Sequence, residues 1–260
     1  MRRQKKLYKL SPKSIWYVII RNYMSFRRLF KISIFPNLVD PILFLLAMGI
    51  GLGSYIGEIN GVSYLIFVTA GLIAATGMMA STAEVTINAF IQMRVEKTYS
   101  AVTMTPVNLQ DVVIGQVIWA SCRSLIYGGM FLVIAAFFGV VQSWTVIFVP
   151  FVLLLSGFVF GLMGMIFTSL APNRDYLNYY SVLFIRPMYM FSDIFFPVKN
   201  MPEIVQVFAW FSPLYHAVNL CRGLLLGNFE GLIMNFSWLL ILGIILFYIP
   251  VIITQKKLAY

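Results

Sequence analysis

Charge is scarce in this chain of 260 residues: charged residues make up 11% and hydrophobic residues 60% of it. Soluble domains carry about 25% charged residues, so the composition excludes a soluble enzyme, a disordered chain and a nucleic-acid-binding domain. A mean hydropathy of +0.87 indicates an all-α polytopic membrane protein. At about 20 residues per span, the chain has room for roughly six or seven spans. We therefore expect residues 1-260 to form a single transmembrane domain.

Residues that carry chemistry are also few. The sequence has one histidine, His216, and two cysteines, Cys122 and Cys221, which are far apart in apolar surroundings. A histidine-based metal site and a disulfide framework are therefore excluded. No phosphate-binding loop, H-E-x-x-H or G-x-S-x-G motif is present. We expect no catalytic residue, metal or cofactor on this chain, so active transport would draw energy from an ion gradient or from another polypeptide.

Six apolar stretches are long enough to cross a membrane. They cover about residues 38–55, 62–87, 112–141, 146–170, 176–196 and 232–253. Before them, Ser11 and Pro12 form a helix start, and residues 1-35 do not have the pattern of a cleaved signal peptide. The apolar residues that follow at helical spacing predict an amphipathic helix lying in the membrane interface; they are Ile15, Trp16, Ile19, Tyr23, Phe26 and Phe30. The alternative is a leader that merely flanks the first span.

Residues 198-231 contain two apolar pieces, 204–211 and 214–226, on either side of Ser212 and Pro213. Each piece is too short to cross a bilayer, which predicts two short re-entrant helices before the last span. The alternative, a seventh span over 204–226, would bury Pro213, His216 and Arg222 in lipid and place the C-terminus outside.

Basic residues set the orientation of the spans. Ten of the 19 Lys and Arg residues lie in the first 31 positions. With six spans, Arg94, Lys97, Arg174, Lys256 and Lys257 fall on the same side as these ten, against only Lys199 and Arg222 on the other. This excess of 15 Lys and Arg residues on one side against two on the other predicts that both termini face the cytoplasm.

A polar segment over 92–111 separates the second and third spans. Its residues 94-107 mix charge with apolar groups and predict a short helix from Glu96 to Met104, ended by Pro106. Such a helix can dock a soluble partner, and the alternative is a solvated or lipid-facing turn. The residues expected at this docking surface are Glu96, Tyr99, Val102, Thr103 and Pro106.

The order of these features resembles the type 2 ABC exporter permease family. The residues that carry the resemblance are Glu84, Tyr99, Thr105-Pro106-Val107, Asp111, Phe195-Phe196-Pro197-Val198, Met201-Pro202, Ser212-Pro213-Leu214-Tyr215-His216-Ala217 and Arg222-Gly223-Leu224. The chain is similar to nodulation-type lipo-oligosaccharide exporter permeases and their glycan- and drug-exporting relatives. Asp193 departs from the family pattern, in which a small or apolar residue is expected.

The resemblance implies a membrane subunit, acting in the cell (inner) membrane as a homodimer with two copies of an ABC-type ATPase. ATP and Mg²⁺ would then be bound by the partner, and no nucleic acid is involved. It also implies that residues 94-107 hold the coupling helix and that the outer short helices include Pro197, Pro202, Pro213, His216 and Arg222. The implied substrate is an amphiphile, such as a lipid-linked oligosaccharide or a hydrophobic drug.

Four charged residues fall inside predicted spans, where each is costly without a partner. Glu84 and Arg123 lie near the same end of consecutive antiparallel spans, so they can pair, although Glu84 could instead extend to the interface. Arg186 and Asp193 are seven residues apart, which places them on one face of the fifth span. That face either lines a translocation path or locks the span to its neighbours. The competing functional hypothesis is an ion-coupled secondary transporter that uses Asp193, Arg186 and Glu84.

Overall fold

An amphipathic helix begins the part of the chain that the computed structural model describes, residues 10–59, 61–102 and 104–258. Helix α1 covers Pro12–Arg28, with Pro12 in its first turn and the Ser11 side chain accepting a hydrogen bond from the Ser14 N–H, as the sequence predicted. The residues predicted to face the membrane are not, apart from Phe26, the ones that are buried against the bundle. Val18, Asn22 and Phe26 pack on the bundle, whereas Trp16 is 60% exposed.

The first long helix begins earlier than predicted. Helix α2 covers Phe30–Phe44 and continues through a π-helical stretch, Leu45–Leu52, into the short helix α3, Gly53–Ile56. The strands β1, Glu58–Ile59, and β2, Val62–Ser63, form a small antiparallel hairpin. This hairpin leads into the second long helix.

Three long helices form the centre of the bundle. Helix α4 covers Tyr64–Ala83 and continues through π-helical stretches at Glu84–Asn88 and Ile91–Val95. After the short helix α5, Thr98–Val102, come α6, Leu109–Phe137, and then a 3₁₀ turn, Trp144–Phe148, that leads into α7, Val149–Leu170. Gly157 of α7 lies so close to α6 that an added Cβ would come within 2.4 Å of the Ser124 Cβ. Small residues therefore allow these two helices to pack tightly.

The predicted fifth span is shorter than expected. Helix α8, Tyr176–Tyr180, the π-helical stretch Ser181–Ile185 and helix α9, Arg186–Phe191, follow one another in pieces of 5, 5 and 6 residues. This run is about 24 Å long at 1.5 Å per residue. The helix ends at Phe191, so residues 192–196, which we had included in the span, are non-helical.

Two short helices and a final long one complete the chain. A 3₁₀ turn, Val198–Asn200, precedes α10, Glu203–Phe211, and α11, Pro213–Leu226, which meet at 84°. Because of this bend, residues 204–226 do not form the straight seventh span that was the alternative. Helices α12, Leu232–Leu246, and α13, Ile249–Leu258, form the last long segment.

Hydrogen bonds between distant segments identify the two ends of the bundle. The Ser11 N–H donates to the Asp111 carboxylate, and Lys257 Nζ donates to the Leu170 carbonyl. We call this end, where residues 10–28, 92–111, 170–175 and 254–258 lie, the basic end.

At the opposite end, the Gln142 N–H donates to the Leu225 carbonyl and the Tyr64 hydroxyl donates to the Phe195 carbonyl. The bent pair α10–α11 therefore starts and finishes at the same end, the geometry of a re-entrant pair. Within the described residues, five continuous helices are long and apolar enough to cross a membrane. The predicted all-α polytopic membrane fold is confirmed.

Candidate functional site

A buried ion pair lies inside the bundle toward the basic end. Arg123 of α6 donates from Nη1 to Oε2 of Glu84, where the π-helical stretch after α4 begins. Both residues are under 10% exposed. The sequence left two alternatives for Glu84, pairing with Arg123 or extension to the membrane interface. The structure has the pair. We call Glu84–Arg123 the network pair.

Two amide side chains also donate hydrogen bonds to the Glu84 carboxylate. Gln116 Nε2 donates to Oε1 at 2.8 Å, and Asn88 Nδ2 donates to Oε2 at 2.7 Å. Asn22 of α1 in turn donates from Nδ2 to Gln116 Oε1 at 2.8 Å. A buried carboxylate is tolerated when its lone pairs are filled in this way. The chain of bonds also ties the amphipathic helix to the core of the bundle.

The Arg123 guanidinium is held on its other side by aromatic residues. Its Nη2 donates to the Tyr127 hydroxyl at 2.9 Å, and that hydroxyl donates to the Ser33 carbonyl at 3.0 Å. The guanidinium carbon also lies 5.5 Å from the Phe26 ring centre, within cation–π range. Arg21 joins the same set, because its guanidinium donates to Asn22 Oδ1 and to Gln92 Oε1. We call the connected set the polar network: Arg21, Asn22, Ser33, Glu84, Asn88, Gln92, Gln116, Arg123 and Tyr127.

A polar cavity of about 380 Å³ opens beside this network. Arg21, Ser25, Gln92 and Glu96 are among its lining residues. Arg21 Nη2 donates to Gln92 Oε1 at 3.0 Å, and burial lowers the pKa of the Arg21 guanidinium. The cavity therefore presents both donors and acceptors between α1 and the long helices.

Sequence reasoning found the pair but missed the amides around it. The available signal was spacing: Glu84, Asn88 and Gln92 recur every four residues along one helix. Such a repeat places polar groups on one face. Gln116 and Arg123, seven residues apart, do the same on α6. The π-helical turns at Glu84–Asn88 are a second feature that is common at functional sites, but they become visible only in the structure.

The predicted docking helix is shorter than expected, and one of its predicted contact residues is unavailable. It covers Thr98–Val102 rather than Glu96–Met104. Tyr99 is fully buried among Val18, Val85 and Val112, so our expectation that it contacts a partner is wrong. Burial raises the pKa of the Tyr99 hydroxyl, which makes no hydrogen bond within the described residues.

The exposed side of this segment differs from the predicted one. Glu96 and Pro106 are exposed as expected and Val102 is half-buried, whereas Thr103 lies outside the described residues. Met104 is 88% exposed. We call the exposed residues Glu96, Lys97, Ala101, Met104 and Thr105 the docking face. Tyr99 is buried beneath this face and anchors it to the bundle.

A second ion pair holds the non-helical turn after α9. Asp193 adopts a positive φ of 64° and accepts from Arg222 Nη1 of α11. Arg222 Nη2 also donates to the carbonyls of Asp193 and Phe67, and the Val198 N–H donates to Asp193 Oδ1 at 2.7 Å. Non-helical backbone at membrane depth needs such internal partners. We call Asp193–Arg222 the turn pair.

The expected relation between Arg186 and Asp193 is wrong. Asp193 lies beyond the last residue of α9, so the seven-residue spacing does not place the two side chains on one helical face. Arg186 is exposed on the surface of the subunit rather than turned into the bundle. It makes no ion pair within the described residues.

His216 and the three prolines organise the re-entrant helices. His216 is fully buried; its Nε2 pairs with the Trp210 carbonyl and its Nδ1 with the Asn235 amide, both at 2.7 Å. It therefore joins α10, α11 and α12. The prolines mark starts: Pro197 precedes the 3₁₀ turn, Pro202 precedes α10 and Pro213 begins α11.

Comparisons with known proteins agree with this architecture. The sequence model of the ABC-2 type transporter family matches residues 13–226, from α1 to the end of α11. The chain is 34% identical to "Nodulation protein J" of Sinorhizobium fredii (strain NBRC 101917 / NGR234) over 239 residues, which cover 92% of this chain and 91% of that protein.

Two further relatives extend the comparison. Identity is 36% to "Nodulation protein J" of Rhizobium leguminosarum bv. viciae over 208 residues, 80% of each chain. It is 25% to "Inner membrane transport permease YadH" of Escherichia coli (strain K12), over 94% of this chain and 93% of that permease. The similarity therefore covers the bundle, the docking face and the re-entrant helices together.

Proposed function

The chain belongs to the ABC-2 type transporter family, and from that premise we propose that it is the membrane subunit of an exporter that moves an amphiphile with energy from a separate ATPase. The match across residues 13–226 carries this proposal. The resemblance implied by the sequence and the multi-pass helical fold support it.

The docking face is the surface we assign to the ATPase. An ATPase that closes on nucleotide must push against a rigid element that is continuous with the membrane helices. Tyr99 is buried beneath the docking face, and the segment connects α4 directly to α6. A force applied at Met104 or Lys97 is thereby transmitted to the two helices that carry the network pair.

Two cavities of different character support an amphiphilic substrate. The polar cavity beside Glu84 and Arg21 suits a head group. An open apolar groove of about 400 Å³ lies between α9 and α10, with Leu183, Pro187 and Phe208 among its walls. A lipid-linked glycan, an oligosaccharide lipid or a hydrophobic drug combines these two kinds of surface.

The proposed assembly contains two copies of this chain and two ATPase subunits, which bind ATP and Mg²⁺. We place it in the cell inner membrane with both termini and the docking face in the cytoplasm. The Lys and Arg residues at the basic end support this orientation. The relative from Escherichia coli is itself named an inner membrane permease.

The geometry gives little support to ion coupling through intramembrane charges. Glu84 is held by Arg123 and two amides, and Asp193 is held by Arg222 and the Val198 N–H. A coupling carboxylate must exchange its ion during each cycle, which these bonds oppose. We therefore retain the ATP-driven mechanism.

The experiment places one negative charge on the docking face and one elsewhere at the basic end. Met104→Glu alters the centre of the docking face. Asn173→Asp is the matched control, since it adds the same charge to an exposed turn and keeps the oxygen that accepts from the Tyr176 N–H. Co-purification with the partner ATPase and ATP-dependent substrate export are measured.

We expect Met104→Glu to lower co-purification and export strongly, with normal membrane insertion, and Asn173→Asp to behave as wild type. Equal behaviour of the two variants would reject the docking face. Substrate transport by the pure chain in liposomes, driven by an ion gradient without ATP, would reject the ATP-driven mechanism itself.

A further inference from the structure

Two charged side chains on membrane helices face outward from the subunit. Asp40 of α2 and Arg186 of α9 are both exposed, and neither forms an ion pair within the described residues. Exposed apolar residues flank each of them at helical spacing. Leu43 and Phe44 lie beside Asp40, and Leu183 and Met190 lie beside Arg186; all four are at least 40% exposed. A charge in such an apolar surface is costly to leave in lipid, so each needs a partner from outside the subunit.

The two charges lie at the same depth. The rings of Phe44 on α2 and Tyr189 on α9 are 6.2 Å apart, which fixes a common level. Both helices run in the same direction, because three long helices intervene. Asp40 precedes Phe44 by four residues and Arg186 precedes Tyr189 by three, so they lie roughly 6 Å and 4.5 Å from that level toward the basic end, within about 1.5 Å of each other in depth.

A second copy of the chain fits both requirements. Rotation about a two-fold axis along the membrane normal preserves depth, and an isologous interface brings residue i to residue j and j to i. The opposite charges make this face complementary to itself. We propose that Asp40 of each subunit forms an ion pair with Arg186 of the other, so that the face formed by α2 and α9 is the contact between two copies. This inference rests on the proposed assembly containing two copies.

The first test is cross-linking between two differently tagged copies in the full complex. One copy carries Asp40→Cys and the other Arg186→Cys, both in a Cys122→Ala/Cys221→Ala background that is first shown to transport. A short bis-methanethiosulfonate reagent is used, because a disulfide needs β-carbons about 3.5–4.5 Å apart. The control pair combines Asp40→Cys with Ile241→Cys on α12, which packs elsewhere on the bundle.

We expect a cross-linked product that carries both tags from the first pair and none from the control. Charge exchange provides the second test. Asp40→Arg and Arg186→Asp should each lower the recovery of two-copy complexes by about tenfold or more, since each leaves uncompensated charges in the interface. The double variant should restore recovery to within about threefold, because the pair is re-formed with its charges exchanged.

Several results would overturn the ion pair. Cross-linking that never joins the two tags would show that Asp40 and Arg186 pair within one subunit or face a path for substrate. If the double variant with exchanged charges does not restore assembly, Asp40 and Arg186 do not pair between subunits. A complex that contains two copies and an ATPase, exports substrate and fails both tests retains the proposed function without this contact. A chain that binds no ATPase contradicts the proposed function instead.

Discussion

The two ion pairs of the bundle solve the problem of buried charge in different ways. In the network pair, Glu84 and Arg123 lie on two different long helices, and side chains complete their hydrogen bonds: Gln116 and Asn88 donate to Glu84, and Arg123 donates to Tyr127. In the turn pair, Asp193 lies outside any helix with a positive φ, and Arg222 bonds mainly to backbone carbonyls. The first pair joins helices to one another. The second pair satisfies backbone that no helix satisfies.

This difference predicts unequal responses to removal of one charge. In the network pair, a residue that loses its charged partner keeps only neutral side-chain partners: Gln116 and Asn88 for Glu84, and the Tyr127 hydroxyl for Arg123. In the turn pair, Arg222 keeps two carbonyl acceptors and a contact with the Phe67 ring, 3.8 Å away, after the carboxylate is lost. Side-chain exposure points the same way, since the turn pair is 13% exposed at both residues and Glu84 is 4% exposed.

The largest effect is expected at the network pair. Glu84→Gln or Arg123→Gln should each lower the free energy of unfolding by about 3–5 kcal/mol, because a buried charge is left uncompensated. The double variant should cost clearly less than the sum of the two. Unfolding in detergent measures all three, with the exposed Glu58→Gln as control. Additive losses would show that the two side chains are not coupled.

The second prediction concerns Tyr99, the buried side chain beneath the docking face. Tyr99→Ala should cost about 3–5 kcal/mol, because a large buried side chain is removed. Tyr99→Phe should cost little, since the hydroxyl has no hydrogen-bond partner within the described residues. Exposed Met104→Ala should stay within about 0.5 kcal/mol. Thermal stability of the purified chain distinguishes these variants, and a harmless Tyr99→Ala would contradict the burial.

A smaller loss is expected at the turn pair. Asp193→Asn should cost about 1.5–3 kcal/mol, the range for a hydrogen bond to a charged group. Asn is chosen because it tolerates a positive φ and keeps an oxygen for the Val198 N–H. Glu203→Gln, an exposed acid at the same end, serves as control. A loss as large as that of Glu84→Gln would remove the contrast between the two pairs.

Sequence patterns predicted the elements whose signal is local. The apolar lengths predicted a polytopic fold, and Ser11-Pro12 predicted the start of α1. Sequence reasoning failed where a tertiary contact decides the outcome. Tyr99 follows a run of charged residues typical of a surface, yet it belongs to a buried cluster with residues of α1 and α6. Asp193 sits in a helical pattern, yet Arg222, 29 residues later, stabilises a turn there.

The smallest expected effect concerns the connection between α1 and the network. Asn22 and Arg21 are the members of the polar network that lie on α1; the Asn22 amide donates to Gln116 at 2.8 Å and accepts from Arg21. Asn22→Ala should cost about 1 kcal/mol, because Gln116 loses a donor while the Glu84 carboxylate keeps Arg123, Asn88 and Gln116. Ser25→Ala, an exposed change on the same helix, should cost less.

The two variants are compared by unfolding and by protease sensitivity between α1 and α2, near Leu29. We expect faster cleavage for Asn22→Ala with nearly unchanged stability of the long helices. Equal cleavage of the two variants would show that Phe26, Val18 and the Arg21–Gln92 hydrogen bond hold α1 without the Asn22 amide.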